Sequence, residues 1–162
     1  MKTPADDAIA LLRAYLQAEY RADGGIVLRV GDTVAPAAGL PPGTPVAFLT
    51  AWNPRSLARS ERENTTALAD LRAALEREGA RVLEGEGADP GGSWREPSLL
   101  AIGIEPEAAD EHARRYEQNA IVTARVGEPA RLRVHRVEWR DGAEAGGLDT
   151  AFIDWVASRA AD

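Results

Sequence analysis

The stretch that decides the fold is residues 80–104, ARVLEGEGADPGGSWREPSLLAIGI. It contains two apolar runs, Ala80–Glu84 and Pro97–Ile104, which predict β-strands. The segment from Gly85 to Gly92 is rich in Gly and has no room for a helix, so we expect the two strands to be antiparallel. A doubly wound parallel sheet would need a crossover helix at this point and is therefore disfavoured.

The flanking segments add a strand and a helix on each side of this pair. Val46–Ala51 predicts a compact apolar strand, and a helix capped by Ser60 follows it and ends near Gly79. Pro106 opens a second helix, which leads into a strand at Asn119–Val126. The order β-α-β-β-α-β over about residues 45–126 is that of a ferredoxin-like sandwich. We therefore predict an α+β fold with a mainly antiparallel sheet, in which the first and third strands of the unit are central and the second and fourth are edges.

Terminal elements extend this unit within a single predicted domain of residues 1–162. An N-terminal helix and short strand occupy residues 3–30, with the helix running from a Thr3-Pro4 cap to about Tyr20 and the strand at 26–30. The extension at 127–162 predicts a strand with a bulge near His135-Arg136 and a loop at 141–147. A final amphipathic helix is predicted from the spacing of Leu148, Phe152, Trp155, Val156 and Arg159.

Composition excludes several classes of function. The chain of 162 residues has no cysteine, which rules out disulfides, thiolate zinc sites and thiol catalysis. Its formal net charge of -7 disfavours nonspecific binding to nucleic acid or to an anionic membrane, so we expect neither partner. With two histidines and no second soft ligand near either, we expect no metal and no cofactor. No signal segment or membrane-spanning run is visible, and the basic residues are almost all arginine, so we expect a protein of the bacterial cytoplasm.

Chain direction in the predicted unit brings several polar residues to one end of the sheet. The end of the first strand, the start of the first helix, the hairpin and the start of the fourth strand should meet there. Candidate ligand-binding residues at this end are Asn53, Asn64, Glu86, Trp94, Glu96, Ser98, Gln118 and Asn119. Asn64 precedes Leu68, Leu71 and Leu75 on the apolar stripe of its helix, so its amide should be buried and in need of partners.

Other interpretations of the same residues stay open. Glu84, Glu86, Asp89 or Glu96 could hold a hard cation, although ordinary surface acids explain them better. Glu86 and Glu96 could act as an acid–base pair, but nothing in the pattern requires it. The amides could equally form a structural network that holds the loops together. No G-x-S-x-G elbow or phosphate-binding loop is present.

Several short motifs together are similar to one bacterial family. They are TAWNPRS at 50–56, EN at 63–64, GEGADP at 85–90, WREPSLL at 94–100 and QNAIV at 118–122. In combination they resemble the domain-of-unknown-function family 3293, over about residues 14–126. The family often has glycine before its Gln-Asn pair, where this chain has Glu117. The resemblance implies a bacterial domain without an assigned activity, and it supplies no catalytic residues.

Two functional hypotheses follow from the residues. The first is a small polar ligand bound at the end of the sheet, oriented by Asn53, Gln118 and Asn119, with Trp94 stacked on it and Glu86 or Glu96 supplying charge. The second is a protein-interaction module, in which a sheet face or edge strand binds a partner and the amides serve only the fold. The residues do not decide whether the protein is an enzyme.

Overall fold

The computed structural model describes residues 3–92 and 94–157. In that part of the chain four α-helices form: α1 (Pro4–Gln17), α2 (Glu61–Arg77), α3 (Pro106–Arg115) and α4 (Arg140–Ala145). The strands are β1 (Glu19–Ala22), β2 (Ile26–Leu28), β3 (Pro45–Leu49), β4 (Arg81–Ala88), β5 (Arg95–Ile102), β6 (Ala120–Arg125), β7 (Arg131–Val134) and β8 (Ile153–Trp155). Short 3-10 turns occur at Pro54–Ser56 and Val137–Trp139. None of the helices formed by the described residues combines the length and apolar character needed to span a bilayer.

The hairpin predicted at residues 80–104 is present. β4 and β5 pair antiparallel over their whole length, from Arg81 opposite Ile102 to Ala88 opposite Arg95. The Gly-rich connection closes the hairpin, with Gly92 donating its amide hydrogen to the Asp89 carbonyl. The apolar runs predicted the antiparallel pairing correctly, but β4 continues to Ala88, through the first part of the predicted connection.

One curled sheet contains all eight strands, in the order β2-β1-β4-β5-β3-β6-β7-β8, and the protein is a mixed α+β fold. Every pairing is antiparallel except that of β7 with β8. β3 and β5 are central, as predicted from their apolar sequences. The prediction that the second and fourth strands of the unit are edges is wrong for the complete sheet, because β1 covers β4 and β7 covers β6.

The sheet separates two apolar clusters. On one face, which we call the α2–α3 face, Leu71 and Leu75 of α2 pack with Ala109 of α3 against β3, β4 and β5. The other face, the α1 face, packs Leu12 of α1 and Ala143 of α4 against side chains from most of the strands. An isolated bridge between Val30 and Ala130 links the segments that follow β2 and precede β7, so the α1 face is strongly curved.

The N-terminal helix is shorter than predicted. It begins as expected, with the Thr3 side chain accepting a hydrogen bond from the Asp6 amide, but it ends at Gln17. Residues 19–22 instead form β1, which pairs with β4 through Tyr20 opposite Gly87. Sheet pairing overrides a helical pattern here because Tyr20 is buried against β4 rather than on the helix stripe.

The C-terminal extension differs most from the prediction. β7 ends at Val134, and the chain turns at Val137–Trp139 instead of continuing through a bulge. Helix α4 occupies the predicted loop, and β8 replaces the predicted final helix. Ile153 is buried in the α1-face cluster. Arg159, the last residue of the predicted helix, lies outside the described residues.

Candidate functional site

A pocket on the α1 face lies where β3 ends and where β5 and β6 begin. Six of the predicted ligand-binding residues line it: Asn53, Trp94, Glu96, Ser98, Gln118 and Asn119. Three aromatic side chains, Tyr15, Tyr20 and Phe48, line it as well. We call this cavity the inner pocket. Its volume of about 50 Å³ leaves room for a few water molecules or one small head group.

A wider groove adjoins the inner pocket. This outer groove has a volume of about 480 Å³. It shares Tyr15, Asn53, Ser56, Trp94 and Glu96 with the inner pocket and adds Leu11, Ala14, Ala58 and Asp89. A molecule with its head in the inner pocket could therefore extend its remainder along the outer groove.

Glu96 is the acidic group common to both cavities. It lies on β5 two residues before Ser98, and side chains two apart on a strand point to the same face. Among the described residues no hydrogen bond or ion pair reaches its carboxylate. Burial raises the pKa of Glu96 to about 7, because desolvation disfavours the charged form and no partner offsets it. The site thus contains a carboxyl group that is free to accept hydrogen bonds from a ligand.

Glycines in β4 make room for the aromatic wall of the inner pocket. A Cβ atom at Gly87 would lie 3.2 Å from the Trp94 ring, and one at Gly85 would lie 3.0 Å from the Phe48 ring and collide with the Arg21 carbonyl. The Trp94 amide is fixed by a 2.8 Å hydrogen bond to the Asp89 carboxylate. The Gly-Glu-Gly sequence therefore seats Trp94 against the sheet.

A pair of amide side chains fixes the loop after β3. Asn64, buried on α2, accepts from the Asn53 backbone amide at 2.9 Å and donates to the Asn53 side-chain oxygen at 2.7 Å. That oxygen also accepts from the Arg59 backbone amide at 3.1 Å. Because the Arg59 N–H can only donate, the Asn53 atom that it contacts is Oδ1. The remaining end of the Asn53 amide is therefore Nδ2. Asn64 is therefore a positioning residue, whereas Asn53 has an amide edge beside the pocket.

The same loop concentrates left-handed backbone. Asn53, Arg55 and Ser56 have φ of 42°, 55° and 59°, and Glu117, which faces them, has φ of 51°. The Arg55 amide donates to the Glu117 carbonyl at 2.8 Å, which holds the two turns together. Left-handed conformations are costly for residues with side chains, and clusters of them occur preferentially at functional sites. In this chain the cluster lies at the rim of the inner pocket.

A hydrogen-bond network closes the other rim. The Asn119 Nδ2 donates to the Tyr15 hydroxyl at 3.3 Å and to the Ser56 hydroxyl at 3.2 Å. Its Oδ1 accepts from Arg136 at 3.1 Å. Burial raises the pKa of Tyr15, and hydrogen bonds from Ser56 and Asn119 counter it only in part. Since both ends of the Asn119 amide are engaged, this residue positions Tyr15 and Ser56.

Gln118 and Ser98 are also tied to the backbone. The Gln118 Nε2 donates to the carbonyls of Trp52 and Tyr116, each at 3.2 Å. The Ser98 hydroxyl donates to the Glu96 carbonyl at 3.0 Å. Both side chains keep an oxygen that can accept a hydrogen bond at the pocket wall.

Glu86 is not part of the site, contrary to the prediction. It lies between Gly85 and Gly87, at which a Cβ atom would point into the α1 face. Strand alternation therefore points the Glu86 side chain to the opposite face. There its carboxylate is 3.5 Å from Arg95. The proposed acid–base pair of Glu86 and Glu96 is therefore separated by the sheet.

Tyr15 and Ser56 are site residues that the sequence analysis missed. Tyr15 falls within the predicted N-terminal helix and Ser56 ends the TAWNPRS motif, but neither was predicted as a ligand-binding residue. No local pattern marks either residue, because the contact between their hydroxyls joins segments 41 residues apart in the chain.

A second polar cluster lies outside the inner pocket. Asp110, 3% exposed on α3, accepts from Arg133 at 2.9 and 2.6 Å and contacts the His135 Nε2 at 2.9 Å. Burial alone would raise the pKa of Asp110, but the hydrogen bonds and charges of Arg133 and His135 outweigh it and lower the pKa to about 2. His135 lines a separate cavity with Arg55, Arg114 and Arg136.

The acids considered as a cation site do not come together. Glu84 contacts Arg72 at 3.6 Å, Glu86 lies on the α2–α3 face, and Asp89 holds the Trp94 amide. Within residues 3–92 and 94–157, no group of three or more His, Cys, Asp or Glu side chains is arranged to hold a metal ion.

Comparison with known proteins gives one match. No curated protein and no solved structure shows significant similarity to the chain. The family model described as "Protein of unknown function (DUF3293)" matches residues 49–121. This segment contains Asn53, Trp94, Glu96 and Gln118 but not Tyr15. Over these residues the chain resembles the DUF3293 family, which confirms the resemblance indicated by its motifs.

Proposed function

We propose that the protein binds a small polar ligand in the inner pocket and the outer groove, with the Glu96 carboxyl as the main recognition group. One observation carries this proposal: Glu96 lines a partly buried cavity, and its carboxyl group has no partner among the described residues. An unpaired buried carboxyl lowers stability, so its presence is better explained by ligand recognition than by folding.

Neighbouring groups divide into those that contact the ligand and those that position others. The Asn53 Nδ2 and the Ser98 hydroxyl lie at the wall and would hydrogen-bond the ligand, and Trp94 would stack on it. Asn64 and Asn119 act through Asn53 and through Tyr15 and Ser56, respectively. Gln118 would add an acceptor at the far wall.

We also propose that residues 45–126 form a ferredoxin-like unit, which would place the site at the end of its sheet. The strand order β4-β5-β3-β6, the antiparallel pairing of all four strands and the crossover helices α2 and α3 support this assignment.

A thermal-shift screen of metabolites, nucleotides and divalent ions tests the proposal. We expect at least one compound to stabilise the wild type and to have no effect on Glu96→Gln. Glu86→Gln is the matched control, because it removes the same charge from the other face of the same hairpin. It should respond like the wild type.

Two results would contradict the proposal. One is the absence of any stabilising compound, and the other is an equal response of wild type and Glu96→Gln. Either would favour the interaction module, in which the polar cluster only holds the loops and the exposed Leu57 beside the groove belongs to a binding surface.

A further inference from the structure

Four aromatic side chains contribute to the wall of the inner pocket. Tyr15, Tyr20, Phe48 and Trp94 line it, although the whole chain has only 4 Trp, 3 Tyr and 2 Phe. Tyr20 and Phe48 pack edge to face, with ring centroids 5.3 Å apart. A cage of aromatic rings attracts a cation through the negative faces of its π systems.

The charged residues that line the two cavities are all acidic. Among the residues that line the inner pocket and the outer groove, Glu96 and Asp89 are acidic and none is basic. The cavity beside His135 differs, since Arg55, Arg114 and Arg136 line it together with Glu117 and Glu138. An anionic ligand would therefore be repelled at Glu96, whereas a cation would neutralise it.

The two cavities also differ in size. The inner pocket of about 50 Å³ suits a compact head group. The outer groove of about 480 Å³ adds the apolar side chains of Leu11, Ala14 and Ala58, against which a short alkyl chain could pack. The two volumes therefore match a compact head group that carries a short aliphatic chain.

We infer that the ligand is a small organic cation, an alkylammonium ion whose charged head lies among the four aromatic rings beside Glu96 and whose chain follows the outer groove. This inference rests on the proposed function and narrows it to one chemical class. Hydrogen bonds from the ammonium group to the carboxylate and to the Ser98 oxygen would complete its coordination.

Calorimetric titration of the full chain with three matched probes at about pH 8 tests the inference. n-Butylammonium chloride carries the charge, 1-butanol is neutral, and sodium butyrate is anionic, with ionic strength kept equal. We expect n-butylammonium to bind about tenfold more tightly than butanol, because a charge-assisted hydrogen bond is lost in the alcohol, and butyrate not to bind.

Variants assign the effect to the pocket. Glu96→Gln should reduce n-butylammonium affinity by about tenfold or more, and Trp94→Leu should reduce it several-fold by removing one ring of the cage. Glu86→Gln should bind like the wild type. Circular dichroism confirms that each variant is folded before titration.

The outcomes distinguish failure of the cation inference from failure of the proposed function. Unchanged affinity in Glu96→Gln would contradict both, whereas equal binding of butanol or butyrate would overturn the cation inference and leave the proposed function in place. No binding of n-butylammonium, together with a compound of another class that stabilises the wild type but not Glu96→Gln, would do the same. If no probe binds and the broad screen is also negative, the proposed function itself fails.

Discussion

Glu96 and Asp110 are both carboxyl groups that are shielded from water, but their pKa values shift in opposite directions. Asp110 has Arg133 and His135 within hydrogen-bond distance, and its pKa falls to about 2. Glu96 has no partner among the described residues, and burial raises its pKa to about 7. Burial acts in the same direction at both sites, so the difference comes from the partners supplied.

This comparison distinguishes polar groups that stabilise the fold from polar groups that are available to a ligand. A buried charge that serves the fold is paired, because an unpaired one costs several kcal/mol. The cluster around Asp110 follows that rule and joins α3 to β7. The inner pocket departs from it at one carboxyl and at three left-handed residues in the adjoining turn, Asn53, Arg55 and Ser56. Binding sites are expected to contain such unfavourable features, which lower the stability of the fold.

Removing the paired acid should have the largest effect on stability. We expect Asp110→Asn to lower the free energy of unfolding by about 3–5 kcal/mol, because the Arg133 charge is left largely uncompensated. The pKa of Asp110 is lowered in the folded state, so its contribution is present above about pH 4 and is lost as the pH falls toward 2. Urea denaturation at several pH values measures this. A loss below about 1 kcal/mol at neutral pH would show that the cluster does not stabilise the fold.

Removing the unpaired acid should instead increase the stability of the protein. We expect Glu96→Gln to raise the free energy of unfolding by about 2 kcal/mol near pH 8. The pKa of Glu96 is raised on folding to about 7, so wild-type stability is lost as the pH rises from its ordinary value near 4.5 through 7. The advantage of the variant should therefore vanish below about pH 4.5. A destabilised Glu96→Gln at pH 8 would mean that the carboxylate has a partner in solution.

Changes at the strained turn should be smaller. Asn53→Ala loses the hydrogen bonds to Asn64 and Arg59 at a left-handed position, so we expect a loss of about 2 kcal/mol by denaturation. Asn53→Gly keeps the backbone conformation accessible and should lose about 1 kcal/mol less. Equal losses in both variants would show that the left-handed backbone adds no strain.

Glu86→Gln should have the smallest effect of all. Its contact with Arg95 is an exposed ion pair, and such pairs contribute from zero to about 1 kcal/mol. We expect a change within about 0.5 kcal/mol, measured by urea denaturation. A large change would place Glu86 in a network that crosses the sheet and would weaken its use as a control.

The sequence predicted the centre of the molecule better than its ends. Continuous apolar runs and a Gly-rich turn specified the hairpin of β4 and β5, and therefore the positions of Trp94, Glu96 and Ser98. Glu86 was misplaced because Gly85–Gly92 was interpreted as the connection, whereas β4 continues to Ala88 and its alternation points Glu86 to the other face. β8 was unpredictable because three residues are too few to show a period, and Leu148, Phe152 and Trp155 fit a helix equally well.

The missed half of the site comes from outside the predicted unit. Tyr15 reaches the pocket only because α1 packs on the curved α1 face, and that packing depends on β1 pairing with β4. No local pattern encodes such a long-range contact. Arg136, which orients Asn119, lies in the segment where the predicted strand and bulge are replaced by a turn.

The most direct test of the unpaired carboxyl is a titration of Glu96 itself. The ¹³C chemical shift of its side-chain carboxyl, assigned by comparison with Glu96→Gln, is followed by NMR across the pH range. The phenols of Tyr15 and Tyr20, which lie in the same pocket, have raised pKa values and stay protonated throughout, and Asp89 is the remaining acid nearby. The account predicts a midpoint near pH 7, moving to lower pH when n-butylammonium is added. A midpoint near its ordinary value of 4.5, unchanged by the amine, would contradict it.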